Sequence, residues 1–179
     1  MKLKLLILVL ALQSAWLLGT VAVQEHVLAT GKVILLEARR VDPRDLLQGD
    51  YLILDYNISN VPTNLFSPPI PKDALSAKEI FVALAQGTNQ VWKITRASTN
   101  IFTPAPNEVL LRGEVVGRWL HTKQIQVAYG LERFYVAEGT GNPAGKLTAQ
   151  VVVPASGHPK IKEVFVDGKP YAGAMKEGR

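Results

Sequence analysis

The sequence predicts a mainly β fold, a small β-barrel or β-sandwich-like domain preceded by one N-terminal transmembrane helix. Three observations lead to this prediction. An uncharged apolar run lies near the N-terminus, apolar and polar residues alternate through most of the remaining chain, and helix-forming patterns are scarce there. The chain has 179 residues, of which 47% are hydrophobic. This length and composition suit one packed domain rather than a disordered chain.

The apolar run covers residues 5–23 and contains no charged residue. As an α-helix it would be roughly 28 Å long, close to the ~30 Å hydrocarbon core of a bilayer. A cleaved secretory signal is the alternative, because Lys2 and Lys4 precede the run as the basic region of a signal does. The run exceeds the usual signal length of about 7–15 apolar residues, and no A-x-A cleavage site comes after it. The sequence therefore favours an uncleaved anchor.

Lys2 and Lys4 also predict the orientation of the chain, because short basic segments stay in the cytoplasm. We expect residues 1–23 to form a single-pass membrane anchor, or an uncleaved signal, with the N-terminus in the cytoplasm. Residues 24–179 would then form one exported domain, since no second apolar run of comparable length returns the chain to the membrane.

Charge and cysteine content exclude several function classes. The net charge is +5, but once Lys2 and Lys4 are set aside the exported part carries 18 basic and 15 acidic residues, with both signs interspersed. Nucleic-acid binding proteins instead cluster basic residues on one face, so we expect no nucleic-acid partner. Cysteine is absent, which excludes disulfides, cysteine nucleophiles and thiolate metal sites. The three histidines lack metal-ligand spacing, and no cofactor-binding motif occurs.

The strand pattern is clearest between residues 51 and 58, where alternate positions are apolar. Side chains point to opposite faces of a strand in turn, so one face is predicted to meet the core. That face carries Leu52, Leu54, Tyr56 and Ile58. Further strands are predicted over residues 33–36, 79–86, 90–96, 108–118, 124–129, 133–136, 149–153, 161–166 and 169–171.

Turn signals separate these predicted strands. Residues 87–89, of sequence Gly-Thr-Asn, and Asp167-Gly168 each indicate a tight hairpin. Gly113 and Gly117 lie inside the longest predicted strand and indicate a bend or a bulge. Residues 59–74 are predicted to form an exposed loop, because this segment contains Pro62, Pro68, Pro69 and Pro71.

Residues 49–56 read Gly-Asp-Tyr-Leu-Ile-Leu-Asp-Tyr, which is the string G-D-Y-x-x-L-x-Y. Residues 41–44 read Val-Asp-Pro-Arg, residues 129–135 read Tyr-Gly-Leu-Glu-Arg-Phe-Tyr, and residues 138–141 read Glu-Gly-Thr-Gly. With these companions the chain resembles the bacterial GDYXXLXY family over most of its exported part. The resemblance implies an N-terminal helix in a bacterial inner membrane, with the exported domain in the periplasm, and no established activity, cofactor or catalytic residue. Members are often encoded beside multi-pass membrane proteins, which implies a multi-pass membrane protein as partner.

The residues of this string, which we call the family motif, have a mainly structural interpretation. Gly49 suits a tight turn after a predicted helical turn, and Asp50 can accept backbone N–H bonds there. Tyr51 and Tyr56 are five residues apart, so they point to opposite faces of a strand and cannot form one site. Leu54 shares the core face with Tyr56. Direct function of the motif stays open as the alternative.

A second set of polar residues, Arg112, Glu114, Glu132 and Arg133, interrupts two predicted strands. These residues either form cross-strand ion pairs on a solvated face or line a polar groove. We predict primarily a non-catalytic interaction or assembly module for an integral membrane partner. The rival is an exported enzyme or small-ligand-binding domain that uses this polar cluster. A concave pocket holding the four residues would favour the rival, and a flat face would favour the interaction module.

Overall fold

The computed structural model describes residues 2–41, 51–69, 78–119, 123–136 and 145–171. Helix α1 spans Lys2–Thr30, and strands make up most of the described residues after it. Within the described residues the strands are β1 (Lys32–Val41), β2 (Tyr51–Tyr56), β3 (Asn60–Pro62), β4 (Glu79–Gln86), β5 (Trp92–Ser98), β6 (Glu108–Trp119), β7 (Gln124–Ala128), β8 (Arg133–Tyr135), β9 (Leu147–Val153), β10 (Lys160–Val166) and β11 (Lys169–Pro170).

The strands form two antiparallel sheets, one of them curled like half a barrel. The first has the order β11-β10-β9-β1-β2-β8, and the second has the order β3-β7-β6-β4-β5. Both sheets contribute to one hydrophobic core, in which Ile34 and Leu36 of β1 join Val82 and Leu84 of β4. The predicted fold class, a mainly β domain after one N-terminal helix, is confirmed.

The alternation in β2 is confirmed residue by residue. Leu52, Leu54 and Tyr56 are buried, with exposed fractions of 6%, 1% and 0%. Ile58 is also buried, although the chain leaves β2 in a 3-10 turn at Asn57–Ser59 before it enters β3. Period-two burial predicts this face correctly because one face of β2 packs against the hydrophobic core.

The exposed loop predicted for residues 59–74 is wrong over its first part. Residues 60–62 form β3, which pairs with β7, and Val61 is fully buried. Proline is tolerated there because β3 is an edge strand and Pro62 is its last residue, where no ladder donor is required. Phe66, further along, also enters the core. Residues 70–77 lie outside the described residues, as do the turn and helical turn predicted at residues 42–50.

The two hairpins agree with their turn signals. Asp167 and Gly168 have φ values of 48° and 81°, the left-handed pair that a two-residue hairpin turn requires. In the other hairpin Gly87 N–H donates to the carbonyl of Val91 at 2.9 Å, and β5 begins two residues later than predicted. The bulge in β6 lies between Val115 and Gly117, as the second glycine indicated.

The helix and the first strand are joined through one residue, Gly31. Helix α1 is long and apolar enough to span a membrane, and its apolar window is not buried by the domain. Gly31 N–H donates to the carbonyl of Val27 at 3.0 Å, so the last helical turn is closed before β1 begins. A Cβ atom at position 31 would clash with the side chain of Val152 on β9. The junction is therefore short and packed against the domain.

Candidate functional site

The family motif and the segment at residues 129–135 are neighbours in the fold. Strands β2 and β8 pair antiparallel, with Tyr51 opposite Tyr135 and Leu52 opposite Phe134. The buried hydroxyl of Tyr56 donates to the carbonyl of Leu131 at 3.0 Å. The backbone N–H of Leu54 donates to the carbonyl of Glu132 at 2.8 Å. The last two named positions of the motif, Leu54 and Tyr56, therefore hold the turn before β8 against the core.

Tyr129 fixes the other end of that turn. Its buried hydroxyl donates to the carbonyl of Ile58 at 3.0 Å, so Tyr56 and Tyr129 make reciprocal links between the two segments. Burial raises the pKa of both phenols, and the negative charge of Glu132 adds to the rise. Both hydroxyls therefore stay protonated near neutral pH and act as hydrogen-bond donors, not as general bases.

Glu132 is held by the backbone of the same turn. Its carboxylate accepts a bond from the Tyr129 N–H at 2.6 Å, across a turn in which Gly130 has φ of +77°. Glu132 is half-buried and precedes β8, so it does not lie on a solvated strand face, which was one of the two placements expected for the polar cluster. The sequence pattern did not show whether Glu132 lies in a strand or at the end of a turn, where its carboxylate accepts a backbone N–H.

Arg112 on β6 forms an ion pair across the sheet. One guanidinium nitrogen lies 2.6 Å from both carboxylate oxygens of Glu79 on β4. The two side chains are 38% and 42% exposed, so water screens much of their attraction. In the β4–β6 register Glu79 lies directly opposite Glu114, a pair of like charges. Glu114 has no ion-pair partner among the described residues.

A cavity of about 260 Å³ collects these groups, and we call it the polar cavity. Arg112, Glu114 and Glu132 line it, but Arg133 does not. Arg133 instead pairs through β8 with Ile53 of β2. The structure thus brings together three of the four residues of the predicted cluster. The remaining lining is Glu79, Gly113, Ala128, Tyr129, Gly130 and His158.

Gly113 gives the polar cavity its shape. A Cβ at this position would clash with Val127 and would lie 2.9 Å from the ring of Tyr129. The glycine therefore allows the tyrosine ring to lie directly against β6. The sequence indicated a bend or bulge here, but the register of β4 and β6 runs through Gly113 without a shift. Close packing of a ring, not a distorted strand, accounts for this glycine.

The chemistry available in the polar cavity is that of three carboxylates, one guanidinium and one imidazole. Glu79 and His158 were not predicted as site residues. Glu79 could have been found from the sequence only by aligning residues 79–86 with residues 108–118 as neighbouring strands, which places it opposite Glu114. Nothing in the sequence pattern brings His158 to this place. In the part of the chain that is described, no group of three or more His, Asp or Glu residues could hold a metal ion.

A larger concavity lies where the domain meets the helix. It measures about 800 Å³ and its walls are mostly apolar, and we call it the proximal groove. Its lining comes from the end of α1 and the start of β1, from the loop before β6, and from the end of β9. The residues are Thr30, Gly31, Lys32, Ile101, Phe102, Thr103, Pro104, Glu108, Val109, Leu110, Val153, Pro154 and Ala155. The sequence pattern did not predict this groove.

The fold and these sites define a two-sheet β domain carried on one helix of membrane-spanning length, in which the family motif and the segment at residues 129–135 are tied together by buried tyrosines. The family model described as "GDYXXLXY protein" matches residues 13–167. The chain therefore belongs to the GDYXXLXY family. No curated protein and no solved structure matches it.

Proposed function

We propose that this protein is a non-catalytic interaction or assembly module for an integral membrane protein. In this proposal α1 anchors it in the bacterial inner membrane with the N-terminus in the cytoplasm and the β domain in the periplasm. Lys2 and Lys4 support that orientation through the positive-inside rule. The resemblance to the family supports a multi-pass protein as the partner.

The observation that carries the proposal is the one-residue junction at Gly31. A domain on a long flexible linker can search a volume above the membrane and capture soluble partners. Here the helix ends at Thr30 and β1 begins at Lys32, so the domain is held at one height above the bilayer. Such a domain meets molecules of the same membrane at high effective concentration. An integral membrane partner fits this constraint best.

The hydrogen bonds of the polar side chains also support a non-catalytic role. Arg112 is engaged with Glu79, and the carboxylate of Glu132 accepts the N–H of Tyr129. Tyr56 and Tyr129 donate to backbone carbonyls. These bonds hold strands and turns together, which gives each of the groups a structural role.

The test is chemical cross-linking in intact membranes, followed by solubilisation and identification of the captured proteins. A matched variant carries about 20 Gly/Ser residues between Thr30 and Gly31, which lets the domain move roughly 25 Å from its anchor. We expect one integral membrane protein to be enriched with the native chain and at least several-fold less with the linker variant. The same linker added after Arg179 is the control and should leave capture unchanged. Equal capture with both insertions, or no enriched membrane protein, would overturn the proposal.

A second candidate function rests on the polar cavity. Its concave shape and its lining by Arg112, Glu114 and Glu132 favour a small-ligand site, and its volume suits a ligand smaller than a typical drug. Three carboxylates against one guanidinium favour a ligand that carries a positive group. Thermal melts of the full chain in detergent with small amines and zwitterions test this candidate. Stabilisation that Glu114→Gln removes would support it, and melts that no compound shifts would dismiss it.

A further inference from the structure

The loop between β5 and β6, residues 99–107, presents an unusually exposed apolar side chain beside the end of α1. Ile101 is 74% exposed, and it lines the proximal groove together with Thr30 and Gly31 at the helix end. Val33, two residues after the junction, is 44% exposed. Together with the apolar walls of the proximal groove, these two side chains leave apolar surface exposed beside the end of a helix of membrane-spanning length.

This loop is held in place by specific contacts. The guanidinium of Arg96 donates to the carbonyl of Thr103 at 3.1 Å and lies 4.5 Å from the ring centre of Phe102. The carboxylate of Glu108 accepts the N–H of Ala105 at 2.9 Å and also binds Arg96 at 3.0 Å. Phe102 is thereby turned toward Arg96 while its neighbour Ile101 points into solvent. The exposure of Ile101 is a fixed feature of the loop.

The length of α1 gives the height of this surface. The helix extends seven residues past the apolar run that ends at Val23, to Thr30, which adds roughly 10 Å. Headgroup regions add about 5–7 Å to each side of the hydrocarbon core. A helix tilt near the average of about 20° lowers the junction further. The proximal groove therefore opens at the outer boundary of the headgroups.

We propose that the β domain rests on the outer leaflet of its own membrane, with Ile101 inserted among the lipid headgroups. The proximal groove then faces the lipid headgroups, which cover its apolar walls. Lys32 stands at the rim with its ammonium 4.8 Å from the ring centre of Trp92, where it can bind a lipid phosphate. This inference rests on the anchoring in the proposed function, but not on the existence of a protein partner.

The absence of cysteine makes a single-label experiment direct. Ile101→Cys and Val116→Cys are each spin-labelled in the otherwise native full chain, reconstituted alone in nanodiscs of phosphatidylethanolamine and phosphatidylglycerol. Val116 is the matched control, because it is 60% exposed and lies roughly 26 Å along β6 from Glu108 in the groove. Collisions of each label with oxygen, which enters lipid, and with a water-soluble nickel complex report its depth.

We expect the label at position 101 to be shielded from nickel at least several-fold relative to position 116, and to collide more often with oxygen. Equal nickel accessibility at the two positions would overturn the proposal. Shielding of position 101 accompanied by dipolar broadening between labels would also overturn it, because a second copy of the chain would then cover the groove. A circular dichroism melt matching the native chain confirms that each variant is folded.

The result of the spin-label experiment can be distinguished from the result of the cross-linking test of the proposed function. If Ile101 lies in water while cross-linking still captures a membrane protein, the lipid contact fails and the partner proposal stands. If Ile101 is shielded by lipid and no partner is captured, the lipid contact stands and the partner proposal fails.

Discussion

Strand β6 contributes to two sites that carry similar residues in different surroundings. Glu108 begins the strand at the proximal groove, and Arg112 and Glu114 lie near its middle in the polar cavity. Each site has an arginine–glutamate pair, Arg96–Glu108 at 3.0 Å and Arg112–Glu79 at 2.6 Å. The side chain of Glu108 is only 10% exposed, whereas that of Glu79 is 42% exposed.

Burial and the number of hydrogen-bond partners, rather than the distance between the charges, decide how much an ion pair stabilises the fold. Glu108 accepts from the Thr95 hydroxyl, the Arg96 guanidinium and the Ala105 N–H, so one carboxylate organises a loop. Among the described residues Glu79 forms one ion pair, with Arg112. It lies directly opposite Glu114, which carries the same charge. The shorter pair is therefore the weaker structural element, since exposed pairs contribute roughly 0–1 kcal/mol.

The largest effect should come from filling the space at Gly113. Gly113→Ala forces a methyl group against Val127 and the Tyr129 ring, and we expect it to lower the free energy of unfolding by about 2–3 kcal/mol. Gly117→Ala on the same strand is the control. Its new Cβ meets only the flexible side chain of Gln126, so the cost should stay below about 1 kcal/mol. Denaturant melts that rank the two variants in the opposite order would contradict the packing assigned to Gly113.

Removing the charge of Glu108 should have the next largest effect. Glu108→Gln keeps the shape of the side chain but weakens its bonds to Thr95, Arg96 and Ala105, at a cost of about 1–2 kcal/mol. The variant should also expose the loop to protease, because that carboxylate fixes it. Urea melts and limited proteolysis at neutral pH measure the two effects. An unchanged cleavage rate would show that the loop keeps its shape without this charge.

The pH dependence of stability should reveal the same carboxylate. The Ala105 N–H, followed by Thr95 and Arg96, lowers the pKa of Glu108 below its usual value of 4.5. A carboxyl group with a lowered pKa in the folded state stabilises the protein above its unfolded pKa, and this contribution disappears as pH falls through the folded pKa. Stability should therefore fall below about pH 4.5, and Glu108→Gln should make that fall shallower. Parallel acid profiles for the variant and the native chain would argue against this assignment.

The smallest effect is expected at Glu79. Glu79→Gln removes an exposed attraction to Arg112 but also removes the repulsion from Glu114, so the two changes offset each other. We expect a change of at most about 0.5 kcal/mol in the free energy of unfolding. A loss as large as that of Glu108→Gln would mean that the polar cavity is a structural centre of the fold and would remove the contrast between the two sites on β6.

Local pattern predicted the parts of the fold that depend on neighbouring residues. Strand β4 was predicted with its observed bounds, because alternation and a turn signal both lie within residues 79–89. Strand β3 was missed, because prolines usually exclude strands and only its position at a sheet edge makes Pro62 acceptable. The buried face of β2 was predicted, but the carbonyls that Tyr56 and Tyr129 bind belong to segments more than 70 residues away.

The candidate site was harder to predict than the fold. Arg112, Glu114 and Glu132 were chosen because charges interrupt apolar strands, and they do share the polar cavity. Glu79 became a member only through the register of β4 on β6, and His158 only through the path of the chain after β9. Arg133 is the first residue of β8 and pairs with Ile53 of β2, so it lies outside the lining of the polar cavity. Sequence supplies candidate charges, and strand register decides which of them meet.

The packed junction at Gly31 lets the membrane helix set the rotational orientation of the domain. An α-helix turns 100° per residue and rises 1.5 Å, so one residue inserted before Thr30 would swing the whole β domain by about 100° about the helix axis. No slack segment lies between α1 and β1 to absorb that rotation. The face that the domain turns toward a neighbour in the membrane is thus set by the number of residues in α1, and an insertion of about seven residues, close to two full turns, brings nearly the same face back.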